Sequence, residues 1–345
     1  MSTDAYARSG VDQNAADRAV SALVGVLRTI DTGRASRSVL ASGHYAAVLE
    51  VAPNLGIAVG TDGVGSKLIV AEQLGRYDSV GIDCVAMNVN DVICVGAEPI
   101  ALLDYIAVEQ ADPDVLAAIG RGLKAGAEQA GVEIPGGEVA ILPELIRGHP
   151  SPNGFDLTAT CFGTVALDAL VTGERLAPGD VLIGLPSSGL HSNAYSLARR
   201  ALADVDLAAP LGDTTVGDAL LAPTVIYVRA VLELLRSPLP VHGLAHITGG
   251  GLRNLLRLND RVGFAIEDPL PVPAIIELVC ERGGVSEAEA WEVFNMGCGF
   301  VAAVPAEVAA EAAALLAAHH PGTRAIGRVT DAAGHVSVPG SGLTY

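Results

Sequence analysis

Residues 60–67 read Gly60-Thr61-Asp62-Gly63-Val64-Gly65-Ser66-Lys67 and directly follow the apolar run 55–59. Such a run predicts a buried strand, and the closely spaced Gly63 and Gly65 allow the backbone to turn and to present bare N–H groups to a phosphate. Asp62 is suited to hold the Mg²⁺ that accompanies a nucleotide, and Lys67 adds a positive charge. The spacing differs from the P-loop pattern G-x-x-x-x-G-K-[ST]. On spacing alone, a Gly-rich turn with a solvated lysine is the simpler interpretation.

Length and composition indicate a globular protein of about two domains. Half of the 345 residues are apolar and 17% are charged. The formal net charge of −18 repels a phosphate backbone, so nucleic acid is not expected as a partner. An anionic small substrate is still compatible with this charge where lysines, helix N-termini or a metal supply local positive potential.

Cysteine usage and hydropathy predict a cytoplasmic location. The five cysteines are odd in number, scattered and without a C-x-x-C pair, which argues against a disulfide framework or a zinc site and favours a reducing cytosol. Residues 1–20 contain acidic side chains and no apolar core, unlike a signal peptide. No stretch reaches about 18 uninterrupted apolar residues, so no membrane span is expected.

Hydrophobic periodicity predicts alternating helices and strands along the chain. The predicted helices are 15–30, 67–74, 79–95, 113–130, 194–202, 223–235, 286–294 and 306–319. The predicted strands are 45–51, 55–60, 100–107, 156–165, 181–185, 262–266, 300–304 and 325–329. Both halves place Gly-rich turns after strands, which indicates two α/β units with helix-covered sheets. The boundary is predicted at 170–180, which divides the chain into domains 1–169 and 170–345.

The predicted helix 79–95 carries an unusual number of short polar residues. Such residues compete with the helix backbone and are poor choices inside a helix. Asp83 and Asn90 are seven residues apart and share a face, and Asp91 lies close to it. A buried polar stripe requires partners, which a metal–nucleotide complex would provide. A helix end that faces water is the alternative interpretation.

Three further Gly-rich stretches follow the predicted phosphate loop. The first, 135–138, is predicted to form a second tight turn that carries Glu138. In the second, 186–193, Ser192 or Asn193 is a plausible N-cap, so the loop could hold an anion beside His191, although a lone histidine is more often structural. The third, 245–252, contains three consecutive glycines, which imply close backbone approach or positive φ.

Taken together, these motifs resemble those of the aminoimidazole ribonucleotide synthetase family, also called phosphoribosylformylglycinamidine cyclo-ligase. The matching segments are Gly10-Val11-Asp12, TDGVGSKL at 61–68, GIDCVAMNVNDVICVGAEPIALLDY at 81–105, GGE at 136–138, SSGLHSNAYSLARR at 187–200, LLAPTVIYV at 220–228, AHITGGGL at 245–252 and FNMGCGF at 294–300. Asp91 to Pro99 match the D-x₄-G-A-x-P signature of the wider ATP-binding superfamily. The resemblance runs nearly end to end and in order, at the family's length.

The resemblance implies a two-domain α/β (α+β) fold. Its N-terminal sheet would pair with that of a second subunit to build a barrel across a homodimer, and its C-terminal domain would be α/β. The family uses ATP to close the imidazole ring of formylglycinamidine ribonucleotide in de novo purine biosynthesis, which gives aminoimidazole ribonucleotide, ADP and phosphate. The expected cofactors and partners are ATP, Mg²⁺ and a small phosphoribosyl substrate.

The resemblance also implies residue roles. It predicts catalytic roles for Lys67, Asp91 and His191, the last as a proton carrier or phosphate contact. It predicts a Mg²⁺ site formed by Asp62, Asp91 and Glu138. The residues expected to contact or support nucleotide and substrate phosphates are Asp62, Gly63, Gly65, Ser66, Lys67, Asp83, Asn90, Gly136, Gly137, Ser192, Asn193, Thr248, Gly249, Gly250 and Gly251.

Several departures indicate a divergent branch of the family. Where the family has G-G-E-T-A-E-M-P, this chain has apolar Val139 and Ile141 in place of the hydroxyl and the second carboxylate. Ala194 replaces the glycine of H-S-N-G-Y, and Ser42-Gly43-His44-Tyr45 replaces a Gly-Gly-Phe loop. The segment GGGLRNLLRL is one residue shorter than the common form. These changes concern the substrate side more than the ATP side.

Other members of the superfamily match less well. A selenophosphate synthetase would carry a reactive Cys or selenocysteine near its N-terminus, whereas the first cysteine here is Cys84. A hydrogenase maturation factor would end in a reactive cysteine, and a thiamine-phosphate kinase would lack the motifs at 191–193 and 245–252. The alternatives left open are a paralogous ATP-dependent amide-activating cyclase or kinase with another substrate, and a catalytically silent nucleotide-binding partner.

Overall fold

The computed structural model describes residues 13–40, 43–338 and 343–344. Gly10-Val11-Asp12 and Ser42 lie outside the described residues. The helices are α1 (Gln13–Leu27), α2 (Lys67–Leu74), α3 (Asp78–Cys94), α4 (Pro113–Ala130), α5 (Tyr195–Ala201), α6 (Val216–Leu221), α7 (Val228–Arg236), α8 (Ala274–Gly283), α9 (Glu287–Val293) and α10 (Ala309–His319). Short 3₁₀ helices span Leu167–Ala169, Gly251–Arg257 and Ala306–Val308.

The strands form two main sheets and one small hairpin. They are β1 (Ala47–Ala52), β2 (Leu55–Gly63), β3 (Glu98–Val108), β4 (Glu133–Ile141), β5 (Phe155–Ala166), β6 (Val181–Pro186), β7 (Pro210–Leu211), β8 (Thr214–Thr215), β9 (Gly243–His246), β10 (Gly263–Ile266), β11 (Cys298–Val304), β12 (Arg324–Thr330), β13 (Val336–Val338) and β14 (Leu343–Thr344).

The N-terminal sheet has five strands in the order β1-β2-β5-β3-β4. All neighbours are antiparallel except β3 and β4, which are parallel and joined by α4. Helix α3 packs on the inner face of the sheet and against α4. The two helices approach closely because Gly122 has no side chain: a Cβ there would overlap the carbonyl oxygen of Asp78.

The outer face of this sheet is apolar and exposed. Along β5 every second side chain is buried against the helices, and the residues between them are partly exposed. Other strands of the sheet add large apolar side chains to this outer face, among them Leu49, Leu55, Leu103 and Tyr105, each 39–43% exposed. Exposed apolar faces of this kind are typical of interaction surfaces.

The C-terminal sheet has seven strands in the order β14-β13-β10-β12-β6-β11-β9. Strand β11 is buried along its whole length, and α10 packs on β6 and β12. Helix α3 contacts β9 of this sheet as well as the N-terminal sheet, and a continuous hydrophobic core runs through both units. The predicted two-unit α/β architecture is confirmed.

Local sequence signals account for several helices. Helix α4 begins and ends as predicted: the Asp112 side chain accepts the backbone N–H groups of Asp114 and Val115, and Gly131 ends the helix in the left-handed conformation. Ser286 caps α9 by accepting the backbone N–H of Glu289 with its side chain. The ends of these helices are determined by a few residues adjacent to each end.

Three local predictions are wrong. Residues 135–138 form no turn, because they continue strand β4 beside β3. Neither Ser192 nor Asn193 caps α5, since its N-cap is Ala194, with a φ of 59° and no side-chain bond. The helix predicted to start at residue 223 begins only at Val228, because side chains of α3 bind the backbone of the preceding residues.

Candidate active site

A buried ion pair connects the predicted phosphate loop to α3. Lys67 Nζ lies 2.7 Å from Asp83 Oδ2, and neither side chain is exposed to solvent. The Lys67 ammonium also donates to the carbonyl oxygens of Ala222 at 2.7 Å and His191 at 3.2 Å. Lys67 thus donates two hydrogen bonds to backbone and forms an ion pair with one carboxylate. The structure therefore directs Lys67 towards protein groups, whereas the predicted phosphate contact would need an ammonium that a ligand can reach.

The segment 222–227, which we call the strap, is held by side chains of α3. Asp83 Oδ1 accepts the backbone N–H of Thr224 at 2.7 Å and its hydroxyl at 2.6 Å. Asn90 Nδ2 donates to Val225 O at 2.8 Å, and its Oδ1 accepts the N–H of Tyr227 at 3.0 Å. The polar stripe of α3 thus finds its partners in protein backbone. The stripe therefore does not need a metal–nucleotide complex as its partner, and the supporting role predicted for Asp83 and Asn90 stays a prediction.

His191 is buried beside Tyr227 in a conformation that non-glycine residues rarely adopt. Its φ is 59°, its side chain is 1% exposed, and the two ring centroids are 6.4 Å apart. The Ser188 N–H donates to His191 Nε2 at 3.3 Å, so the neutral ring carries its proton on Nδ1. Burial, with the nearby His246 and Lys67, lowers the pKa of His191 well below its ordinary value. The role predicted for His191, a proton carrier or phosphate contact, stays a prediction.

Gly299 on β11 makes room for these two rings. An added Cβ would overlap the Tyr227 hydroxyl and lie 2.6 Å from His191 Cε1, and the hydroxyl is fixed by donating to Pro186 O at 2.7 Å. We expect Gly299→Ala to destabilise the fold by about 1–3 kcal/mol, measured from urea unfolding. The control is Gly120→Ala in α4, where a Cβ meets open space and should stabilise by about 0.5–1 kcal/mol. Equal midpoints for the two variants would contradict this packing.

Two aspartates and a histidine form the charged part of the site. The backbone N–H of Asp62 donates to Asn88 Oδ1 of α3 at 3.0 Å, which places this end of β2 against the helix. Asp91 of α3 pairs through Oδ1 with His246 Nδ1 at 2.9 Å. Burial and the nearby charge of Asp91 raise the pKa of Asp62. Asn88 and Asp91 are one turn apart on α3, so Asp62 and Asp91 lie on the same side of this helix.

His246 is a site residue that the sequence interpretation did not single out. With Nδ1–H donated to Asp91, its Nε2 carries a lone pair, and this fully buried atom has no hydrogen-bond partner within the described part of the chain. His191 Nδ1 and Asn193 Nδ2 are likewise buried and unpartnered among the described residues. Such atoms are rare and require an explanation, for example an ordered water or ligand. The sequence did contain one indication of a site role for His246, because this residue lies at the end of a strand and before a Gly-rich loop.

Glu138 does not join the two aspartates. Glu138 of β4 lies opposite Tyr105 of β3, whose side chain is on the outer face of the sheet. Asp62 of β2 lies opposite Ala159 of β5, whose side chain is on the face covered by the helices. Strand side chains alternate between faces, so Glu138 and Asp62 point to opposite sides of the sheet. Within residues 13–40, 43–338 and 343–344, no group of three or more His, Cys, Asp or Glu side chains is gathered to hold a metal ion. The predicted three-carboxylate site is therefore contradicted within one chain.

The predicted glycine contacts divide into open and packed positions. Gly65 and Gly250 have φ values of 72° and 93°, and a Cβ on either would meet no atom within 4 Å. Gly251 is packed, because a Cβ there would overlap a backbone carbonyl of α9. Gly136 and Gly137 lie inside strand β4 and form no phosphate-binding turn. Only the open positions are suited to a close approach by a ligand.

The loop 187–193 and the Gly-rich loop 248–251 lie side by side. A Cβ on Gly249 would be 3.4 Å from Asn193 Oδ1, and Thr248 O accepts the N–H of Gly251 at 3.0 Å. Ser192 Oγ lies 3.2 Å from Thr224 Oγ1 of the strap. The structure thus brings together residues of both loops that were predicted to contact ligands, although the loops are more than 50 residues apart along the chain.

The start of α2 reaches the same region. Gly63 ends β2, and a Cβ there would lie 3.0 Å from Thr158 Cγ2 of β5. Ser66 immediately precedes α2, and its Oγ lies 3.4 Å from Ser196 Oγ of α5. The helices that follow the two predicted phosphate loops are therefore in contact.

Two family models match successive parts of this chain. Residues 43–165 match AIR synthase related protein, N-terminal domain, and residues 177–338 match AIR synthase related protein, C-terminal domain. The chain belongs to the AIR synthase-related family. The family predicted from the order of the motifs is thereby confirmed.

Several curated relatives of this AIR synthase-related chain are named phosphoribosylformylglycinamidine cyclo-ligase. The protein of Methanothermobacter thermautotrophicus is 48% identical over 339 residues, which cover 96% of each chain. That of Thermococcus gammatolerans is 47% identical, covering 94% of this chain and 95% of its own. That of Pyrococcus horikoshii is 42% identical, covering 98% and 99%.

Solved structures of other AIR synthase-like proteins share the fold. Hydrogenase maturation protein HypE in complex with ATP has a TM-score of 0.63 and 22% identity, covering 87% of this chain and 86% of its own. Thiamine monophosphate kinase from Aquifex aeolicus has a TM-score of 0.61 and 16% identity, covering 93% and 96%. At these identities the likeness concerns the fold alone. Across the described residues, no helix is long and apolar enough to cross a membrane.

Proposed function

We infer that this chain is a phosphoribosylformylglycinamidine cyclo-ligase. It uses ATP to close the imidazole ring of formylglycinamidine ribonucleotide and releases aminoimidazole ribonucleotide, ADP and phosphate, a step of purine biosynthesis. The observation that carries this conclusion is the 48% identity to the Methanothermobacter thermautotrophicus cyclo-ligase over 96% of both chains. The enzyme is an ATP-dependent ligase that forms a carbon–nitrogen bond.

The chemistry defines what the site must supply. An amide oxygen is a poor leaving group, so the γ-phosphoryl group is transferred to the formyl oxygen, the amidine nitrogen attacks that carbon, and phosphate leaves. Phosphoryl transfer depends on charge neutralisation and alignment more than on covalent help from the protein. The use of ATP is supported by two solved proteins of the same fold, HypE with ATP and a ThiL protein with AMPPCP.

We propose that Asp62 and Asp91 hold the Mg²⁺ that accompanies ATP. Asp62 is bonded through its backbone to Asn88, one helical turn before Asp91 on α3. Burial, with the charge of Asp91, raises the pKa of Asp62, and a bound cation would offset both effects. Protein Mg²⁺ sites commonly use one or two carboxylates together with substrate phosphates, so two acids are sufficient. When bound, the ion would neutralise charge on the phosphoryl oxygens. His246 would orient Asp91 through its Nδ1–H.

We propose that backbone groups, rather than Lys67, bind the phosphates. Gly65 and Gly250 each have open space where a side chain would lie, and bare N–H groups in such turns attract anions. The apolar replacements Val139 and Ile141 lie on the edge strand β4 and are 45% and 58% exposed. Neither of them replaces a residue of the proposed cation site.

We also propose a homodimer through the outer face of the N-terminal sheet, which would cover the apolar side chains described above. Leu103, 43% exposed at the centre of this face, is expected to be buried in the dimer. Leu103→Glu should therefore give a monomer in light scattering, because it would place a charge in the interface. Leu145→Glu is the control, since Leu145 lies outside the sheet and is 78% exposed. A Leu103→Glu dimer as stable as the wild type would contradict this interface.

The cysteines support the proposed cytoplasmic location. Cys84, Cys94, Cys161, Cys280 and Cys298 are all free thiols. Burial raises the pKa of the Cys298 thiol to about 12, so this buried side chain is not a reactive nucleophile.

The proposed function is tested by product formation with purified protein and Mg-ATP. ADP release is measured with and without formylglycinamidine ribonucleotide, together with detection of aminoimidazole ribonucleotide. Stoichiometric ADP and imidazole product are expected. ATP binding without product would favour the paralogue with another substrate, and the silent partner if no other amide substrate stimulated turnover.

A further inference from the structure

We propose that Lys67 and Thr224 are positioning residues, which hold the loop 187–193 and Asp91 in one fixed arrangement. The proposal goes beyond the cyclo-ligase function and rests on it only for the activity measurement. It assigns a role to the strap, whose sequence belongs to the LLAPTVIYV motif and which the catalytic proposal leaves unused. It also replaces the phosphate contact that sequence alone predicted for Lys67.

The direction of each hydrogen bond follows from the chemistry of Asp83. A carboxylate only accepts hydrogen bonds, so the Thr224 hydroxyl must donate its single proton to Asp83 Oδ1, at 2.6 Å. At the 3.2 Å contact between Ser192 Oγ and Thr224 Oγ1, Ser192 is then the donor. The bonds run in one direction from Ser192 through Thr224 to the carboxylate.

A second connection reaches the same loop from the other oxygen of Asp83. Asp83 Oδ2 holds the Lys67 ammonium at 2.7 Å, and this ammonium donates to His191 O at 3.2 Å. The loop is therefore attached at two successive residues, His191 by its backbone and Ser192 by its side chain. Both attachments converge on one buried carboxylate of α3.

The same helix carries the proposed cation ligand. Asp91 lies eight residues beyond Asp83, and Asn90 beside it binds the strap through both the nitrogen and the oxygen of its side-chain amide. Helix α3 is buried along most of its length and behaves as a rigid rod of fixed rise per residue. A displacement of the strap would therefore change the position of the 187–193 loop relative to Asp91.

Burial separates this role from nucleotide binding. Lys67 and Asp83 are both fully buried in the side chain, and Thr224 is 2% exposed. A phosphate contact by Lys67 would require the ammonium to leave a counter-ion and two carbonyl oxygens. A buried charge without such partners is costly, which explains why the network is closed within the protein.

Two sets of variants test the proposal, each with a readout that does not need the cyclisation substrate. Thr224→Val removes both hydroxyl contacts at nearly constant shape, and Thr224→Ser restores the hydroxyl. The double variant K67M/D83N removes the ion pair without leaving one charge buried. The control Thr323→Val removes another buried hydroxyl, which bonds His320 O at 2.7 Å and lies outside this network. For every folded variant, kcat and the Kd of a non-hydrolysable Mg-ATP analogue are measured.

We expect K67M/D83N to lose about 100-fold in kcat, which is the loss that a small misplacement of reacting groups causes. Its Kd for the analogue should stay within about threefold of the wild-type value, which is less than the tenfold change that 1.4 kcal/mol represents. Thr224→Val should lose at least about tenfold in kcat and Thr224→Ser should recover most of it, with Thr323→Val unchanged. A tenfold weaker Kd in K67M/D83N would overturn the proposal in favour of a phosphate contact. Wild-type kcat in the folded Thr224→Val and K67M/D83N variants would also overturn it.

A failure of the proposed function would look different. A wild-type protein that forms no imidazole product would refute the cyclo-ligase assignment. The analogue affinities would still decide whether Lys67 contacts phosphate, because they require only nucleotide binding.

Discussion

Replacing Asp91 by asparagine is expected to lower kcat for imidazole formation by about 10³-fold, the upper range for loss of one electrostatic contact in a transition state. Asparagine has nearly the same shape and can still accept the Nδ1–H of His246 through its Oδ1, so the packing around His246 should remain. It lacks the negative charge that we propose for binding Mg²⁺ beside Asp62. The variant should also need a much higher Mg²⁺ concentration for its residual turnover.

The chain offers a matched control for this substitution. Asp180 pairs with His242 Nδ1 at 2.8 Å, nearly the distance between Asp91 and His246, but it lies at the start of β6 outside the proposed site. Asp180→Asn should therefore leave kcat and the Mg²⁺ requirement unchanged. The assay follows ADP and imidazole product across a Mg²⁺ titration. Normal kcat and Mg²⁺ dependence in Asp91→Asn would refute the proposed cation site.

The second large effect concerns stability. Lys67→Met alone is expected to lower the free energy of unfolding by about 3–5 kcal/mol, because it leaves the Asp83 carboxylate buried without its counter-ion. The two side chains are fully buried, so water cannot screen the remaining charge. Adding Asp83→Asn should restore most of the loss, since asparagine keeps an acceptor for Thr224 and removes the charge. Urea unfolding of the single and double variants measures both effects.

A surface pair provides the comparison. Lys124 and Glu128 are one helical turn apart on α4, and their side chains are 70% and 64% exposed. Glu128→Ala should change the unfolding free energy by no more than about 0.5 kcal/mol. If Lys67→Met were as mild as Glu128→Ala, the closed network around Asp83 would be wrong. If the double variant were as unstable as Lys67→Met, the loss would come from packing rather than from the unpaired charge.

Sequence alone was sufficient wherever the deciding groups are close along the chain. Asp112 and Gly131 set the ends of α4 because capping and the left-handed C-terminal glycine act over one turn. The order of the Gly-rich motifs was sufficient for the family, which the matches at 43–165 and 177–338 confirm.

The tertiary structure decided which of these residues face a ligand and which face the protein. Lys67 binds a carbonyl 155 residues away, and Asp91 pairs with a histidine 155 residues away. Local sequence periodicity cannot predict contacts between residues so far apart along the chain. Glu138 was assigned to the cation site by its motif, but strand register and alternation place it on the opposite face of the sheet from Asp62. The polar stripe of α3 could be recognised from sequence, whereas its partner, the backbone of the strap, exists only once the two sheets are packed together.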